Sequence, residues 1–205
     1  GRAGMLDGMM RPLIDPPLRL GARALVRAGI GADAVTTAAF AFGMACAACA
    51  TLGWDAAAMV LLALGRIGDG LDGAVARLTQ RTDRGGFFDI VADFAFYGAF
   101  PLAFAVRDPA ANALPAAALL FTFYVNGATF LAYAAVAARR GLETTSRGVK
   151  SLYFTAGLAE GTETIVWFAL MLLFPSAFPM LAWIFAAMCL ATAGSRFALA
   201  WRNLG

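Results

Sequence analysis

The chain has 205 residues, 61% of them hydrophobic and 14% charged, with a net charge of +3 and no histidine. A soluble domain averages about 45–50% apolar and about a quarter charged residues, so this balance excludes an ordinary water-solvated surface. The missing histidine excludes imidazole acid–base or metal chemistry, which leaves carboxylates, lysine and hydroxyls for any catalysis, and nothing in the chain points to nucleic acid.

Apolar runs of about 20 residues recur, each long enough to cross a hydrocarbon core of about 30 Å. The expected fold is all-α: a polytopic membrane protein, one domain over 1–205, with six transmembrane helices preceded by a short interfacial amphipathic helix. No cleavable signal peptide is visible, because the N-terminus is arginine- and proline-bearing rather than a short apolar stretch with a small-residue cleavage site.

The first element is PPLRLGARALVRAG, 16–29. Pro16 and Pro17 suit a helix start, and Arg19, Arg23 and Arg27 recur every four residues along one face, with Leu18, Ala22 and Leu25 to one side. That pattern reads as a helix lying against anionic headgroups. The six spans follow at about 33–53, 56–78, 86–107, 113–138, 151–174 and 178–201. Cys46 and Cys49 in the first span have CxxC spacing, but their apolar, alanine-rich setting reads as helix packing rather than a zinc or redox site. Arginines 19, 23 and 27, then 77, 81 and 84, then Arg139, Arg140, Arg147 and Lys150 fall on one side of the membrane, which puts both termini and those loops in the cytoplasm. Only Arg107 falls opposite.

The second and third spans carry the chemistry. On a helix, Asp72, Gly73, Ala76, Gly65 and Arg66 all lie within about 60° of Asp69, and Arg77 within about 80°. Asp89 and Asp93 are one turn apart on the third span, just after Gly85 and Gly86. Two antiparallel neighbours would then bring four carboxylates together beside a trench without bulky side chains. Such charges repel unless a cation intervenes, and hard oxygen ligands without imidazole or thiolate favour Mg²⁺, Mn²⁺ or Ca²⁺. Arginines at the rim suit phosphate. Two other readings stay open on the residues alone: ion pairs with Arg66, Arg77 and Arg84 that fix helix packing, or an ion or proton pathway.

The segment Asp69-Gly-Leu-Asp72-Gly73-Ala-Val-Ala76-Arg77, followed by Gly85-Gly-Phe-Phe-Asp89-Ile-Val-Ala-Asp93, resembles the DxxDGxxAR…GxxxDxxxD signature of the CDP-alcohol phosphotransferase family. All eight fixed positions are present. The gap between Arg77 and Gly85 is seven residues, where eight is commoner. The later EGTETI, 160–165, is similar to a bacterial inner-membrane branch of the family.

The resemblance implies an enzyme of phospholipid synthesis that transfers a phosphatidyl group from CDP-diacylglycerol to a small polar alcohol and releases CMP. It implies two divalent cations, Mg²⁺ or Mn²⁺, with Ca²⁺ as a non-productive substitute. Asp69, Asp72 and Asp89 would hold the metals, with Asp93 as a further ligand and as the base that takes the acceptor proton. Asp69, Gly73, Ala76, Arg77 and Gly85 would line the CDP site. The family's Pro-Asn-x-x-Thr entry to the first span reads here Ala32-Asp33-Ala-Val-Thr36, so Thr36 is carried over to the nucleotide pocket and Asp33 reads as a helix N-cap. A homodimer in a bacterial inner membrane, with the active site facing the cytoplasm, follows from the same resemblance. Alternatives are a CDP-linked headgroup transferred to diacylglycerol and, from another class, a carboxylate-lined cation transporter.

The acceptor is not fixed by sequence. Thr122, Asn126, Thr129 and Tyr133 share a face of the fourth span, and the sixth carries Thr192, Ser195 and Arg196; these polar stripes also suit interhelical hydrogen bonds. Arg139, Arg140, Arg147 and Lys150 read either as positive-inside loop charge or as an anion pocket for a phosphorylated acceptor. Glu160 and Glu163 on the fifth span either pair with Arg196 or Lys150 or point to a hydroxyl-rich or cationic acceptor. All five of Glu160, Glu163, Lys150, Arg147 and Arg196 are therefore acceptor-pocket candidates.

Overall fold

A computed structural model of the protein describes residues 5–80, 82–140 and 161–204, and these form seven α-helices. They are α1 (Met5–Arg27), α2 (Ala32–Thr51), α3 (Asp55–Leu78), α4 (Asp83–Arg107), α5 (Pro109–Arg139), α6 (Gly161–Leu173) and α7 (Phe178–Leu204), with a 3₁₀ turn at Pro175–Ala177. The links that fall within the described residues are short. Gly53, at φ 76°, makes the turn between α2 and α3, a conformation that suits a residue without a Cβ. Asp108 alone separates α4 from α5, and its side chain accepts from the Ala111 amide (3.2 Å), capping the new helix.

Four of these helices are long and apolar enough to span a membrane: Ala32–Thr51, Asp83–Arg107, Pro109–Arg139 and Pro175–Arg202. The protein is therefore a polytopic membrane protein. The expected second span, α3, does not reach that standard, because Arg66, Asp69, Asp72 and Arg77 interrupt its apolar run. The first part of the expected fifth span lies outside the described residues, which keep only the 13 residues of α6.

One sequence expectation changes. The first helix starts at Met5 rather than at the proline pair, so Pro16 and Pro17 lie within it. Its Leu18, Ala22 and Leu25 row packs on α3: Ala22 is fully buried with Val35, Ala74 and Val75, and Leu18 and Leu71 fill the space over Gly70 and Gly21. Arg19, Arg23 and Arg27 stay exposed. Helices α3 and α4, expected as antiparallel neighbours flanking a trench, make few close backbone approaches to one another. Helix α2 packs against both. Its small residues permit this: Gly43 lies under Phe96 of α4, while Gly65 and Gly68 of α3 sit against the α2 backbone around Ala39 and Gly43. Close contact at those crossings leaves α3 and α4 apart, with room between them.

The core is aromatic and lies at one end. Along α4, Asp89, Asp93, Phe96, Phe100 and Phe104 follow one another at helical spacing, so one stripe passes from acid to phenyl. Phe100 stacks on Phe168 of α6 with centroids 3.9 Å apart, and Phe104 stacks on Phe178 of α7 at 4.3 Å. Cys46 is fully buried among these side chains, and all three cysteines are free, in keeping with a packing role.

Candidate active site

The acidic end of the α4 stripe meets α3. Asp69 from α3 and Asp89 and Asp93 from α4 each offer a carboxylate oxygen, and these oxygens all lie within 4.8 Å of one another. Helix α4 is set for this by its start: the Thr82 hydroxyl accepts from the Gly85 amide at 3.0 Å, an N-cap that fixes where the first turn begins. A Cβ on Gly85 would come within 2.8 Å of Asp33 Oδ1, so glycine there allows the start of α4 to close on the start of α2. Asp33 itself lies in the first turn of α2 and is not its cap; Gly31 takes that position.

The fourth aspartate behaves differently. Asp72 is buried (8% exposed), and its Oδ2 accepts a 2.7 Å hydrogen bond from the Thr36 hydroxyl of α2. Thr36 thus stands at the site as expected, in contact with Asp72. Three of the four carboxylates form the tight cluster, and Asp72 is tethered beside it.

Arg66, one turn before Asp69, reaches into the cluster. Its guanidinium lies 3.4 Å from Asp69 Oδ2 and 3.7 Å from Asp93 Oδ1, and 5.6 Å above the Phe96 ring. Among the described residues Arg66 is the cation that ion-pairs with the aspartates; Arg77 and Arg84 do not. The packing reading is therefore met in part. One guanidinium against three carboxylates leaves negative charge uncompensated, and like charges this close call for further positive charge. The donor set, three hard oxygens with no nitrogen or sulfur, fits Mg²⁺ or Mn²⁺.

These side chains line a cleft floored by Ala39 and Gly43 of α2 and by Phe96. A Cβ on Gly73 would meet only Arg77 Nη1, at 3.5 Å, so the face of α3 beside Asp69 is open. Ala76 is half-buried and Arg77 exposed on that side. Of the acceptor residues, Arg196 donates to Asn126 Oδ1 at 3.1 Å, joining α7 to α5, and Glu163 is half-buried in the first turn of α6. Thr122, Thr129, Thr192 and Ser195 each hydrogen-bond a carbonyl within their own helix. Glu160, Arg147 and Lys150 lie outside the described residues.

The sequence named Arg66 among the arginines that could pair with the acids; the structure selects Arg66 and gives it both Asp69 and Asp93. Sequence reasoning did not single out Tyr97, one turn beyond Asp93 on α4, whose hydroxyl is 3.8 Å from where a Cβ on Gly161 at the start of α6 would stand. An arginine three residues before an intramembrane acid was a signal for the Asp69 contact; no local signal pointed to Tyr97.

The chain matches known proteins along most of its length. It is 45% identical over 192 residues to the inner membrane protein YnjF of Escherichia coli, covering 94% of this chain and 93% of that one. Its fold is similar to that of phosphatidylinositol phosphate synthase (PgsA1) from Mycobacterium tuberculosis. The crystal structure of that enzyme with CDP-DAG bound gives a TM-score of 0.71 at 21% identity, over 90% of this chain and 93% of the other. Its complex with manganese and citrate gives 0.70 at 22% identity, over 90% and 88%. The family model for CDP-alcohol phosphatidyltransferases matches residues 30–201. With its carboxylate cluster inside that match, the chain belongs to the CDP-alcohol phosphatidyltransferase family of enzymes.

Proposed function

We propose that the protein transfers a phosphatidyl group from CDP-diacylglycerol to the hydroxyl of a small polar alcohol, with release of CMP. The observation that supports this best is the convergence of Asp69, Asp89 and Asp93 from two helices, within 4.8 Å, on an open glycine-lined face. Two divalent cations there, Mg²⁺ or Mn²⁺, would supply charge stabilisation for the pyrophosphate oxygens and the departing CMP. Asp69, Asp72 and Asp89 are the ligands in this reading, with Asp93 completing the set. Gly73, Ala76, Arg77, Gly85 and Thr36 border the nucleotide.

In the reaction, the alcohol oxygen forms a bond to the lipid-linked phosphorus as the bond from that phosphorus to the CMP oxygen breaks. Asp93 takes the hydroxyl proton, which requires only hydrogen-bond reach of the attacking oxygen. The same reading gives the chain six spans, with α3 and the whole fifth span crossing the membrane. It puts both termini and the cleft on the cytoplasmic side of a bacterial inner membrane, and pairs the chain as a homodimer. Glu160, Glu163, Lys150, Arg147 and Arg196 remain the acceptor-side residues.

The test is CMP release from radiolabelled CDP-diacylglycerol by purified protein with Mg²⁺ or Mn²⁺ and a panel of alcohols, phosphorylated and free. Metal-dependent CMP release with one alcohol class is expected. Release only from a CDP-linked headgroup with diacylglycerol would overturn the donor assignment, and none with any pairing would overturn the transferase reading.

A further inference from the structure

Among the described residues that line the carboxylate cleft, Arg66 is the charged one that the proposed chemistry leaves without a task. Its guanidinium bridges α3 and α4, at 3.4 Å from Asp69 and 3.7 Å from Asp93, in a stretch where those helices do not pack on each other. Phe96 lies beneath it at 5.6 Å and holds the planar head against the floor of the cleft. Asp89 is in the cluster without an ion pair to Arg66. The cleft is therefore charged unevenly: a fixed cation at its floor between Asp69 and Asp93, and an unmatched carboxylate, Asp89, on the α4 side.

We propose that Arg66 is a positioning residue, a built-in cation that draws Asp69 and Asp93 together across the gap before metal arrives and lowers the affinity of the site for divalent ions. This rests on the reading of the cluster as a metal site. A unit charge a few ångström from a divalent ion repels it strongly in a partly desolvated cleft. The metals are then retained chiefly when the donor's pyrophosphate supplies compensating negative charge. Lysine can supply the charge but not the planar fork that reaches two carboxylates at once.

The experiment measures Mn²⁺ binding by electron paramagnetic resonance, without nucleotide, for the full-length wild type and for R66Q, R66M and R66K purified with Mn²⁺ and then stripped of it. The neutral variants are expected to bind Mn²⁺ about tenfold more tightly, a change of about 1.4 kcal/mol. R66K should stay within about threefold of wild type, because it keeps the charge. Unchanged or weaker binding by R66Q and R66M overturns the proposal, as does equal tightening in R66K; a merely structural arginine would lower the melting temperature without tightening Mn²⁺ binding. Neutral variants that fold only with Mn²⁺ present support it, since the metal then replaces the missing cation, and variants that fail to fold even with Mn²⁺ overturn it. A wild type that binds no Mn²⁺ removes the metal-site reading itself, a result distinct from one in which wild type and R66Q bind alike.

Discussion

Helices α3 and α4 carry oppositely charged side chains to each other at two levels, one at the Asp55 end of α3 and one midway along both helices, with opposite results. At one end Arg107, the last residue of α4, meets Asp55, the first of α3, through two contacts of 2.6 and 3.1 Å. The pair is closed: one cation, one carboxylate, both nitrogens engaged, with the Phe104 ring 5.8 Å from the guanidinium. About 20 Å along, midway down both helices, Arg66 faces three carboxylates at 3.4 Å and beyond, and charge is left over. The same residue types thus make a clasp where the stoichiometry is one to one and the fork fits. Where carboxylates outnumber cations around an open cleft, they make a site that can accept further charge.

That contrast can be broken deliberately. The largest effect is expected for Asp93→Asn, which should reduce metal-dependent CMP release by at least about a hundredfold, the usual scale for loss of a general base. Folding, followed by size-exclusion profile and melting temperature, should be retained, and residual activity near wild type would mean that another group takes the proton.

A sharper comparison sets Asp69→Asn/Asp89→Asn against Asp55→Asn. Saturating Mn²⁺ at about a hundred times Kd should stabilise wild type by about 2.7 kcal/mol. The double variant should lose that thermal shift. Asp55→Asn should keep it while lowering the melting temperature of the metal-free protein, because removing one partner of the Arg107 pair costs about 1.5–3 kcal/mol. A metal-induced shift that survives in the double variant would place the ions elsewhere. The smallest effect belongs to Thr36→Val, which removes the 2.7 Å hydrogen bond to Asp72 and should destabilise by about 1 kcal/mol while reducing activity a few-fold. An unchanged melting temperature would show that Asp72 finds another donor.

Much of the site could be read from the chain itself. Asp69 and Asp72 share a face because they are three residues apart, and Asp89 and Asp93 because they are four apart. The polytopic helical character was legible for a similar reason, since spans of about 20 apolar residues have few other uses. Where the reading stopped short, the missing information was long-range. The short loop made α3 and α4 neighbours beside a trench, but nothing local told that α2 packs against both of them and so sets the width of that trench. The amphipathic pattern of α1 left open what covers its apolar row, and the structure puts α3 there while Arg19, Arg23 and Arg27 stay exposed.

The sequence by itself determined which groups are available: no histidine, eight motif positions at correct spacing, and acids in apolar helices whose periodicity sets their faces. Tertiary structure alone decided how those groups divide. Asp69, Asp89 and Asp93 converge, Asp72 turns to Thr36, and Arg66 reaches Asp93 on another helix. Helical spacing is a property of neighbours along the chain, whereas a distance between helices depends on how closely their backbones can approach. Here that approach is set by glycine and alanine at the α2 crossings.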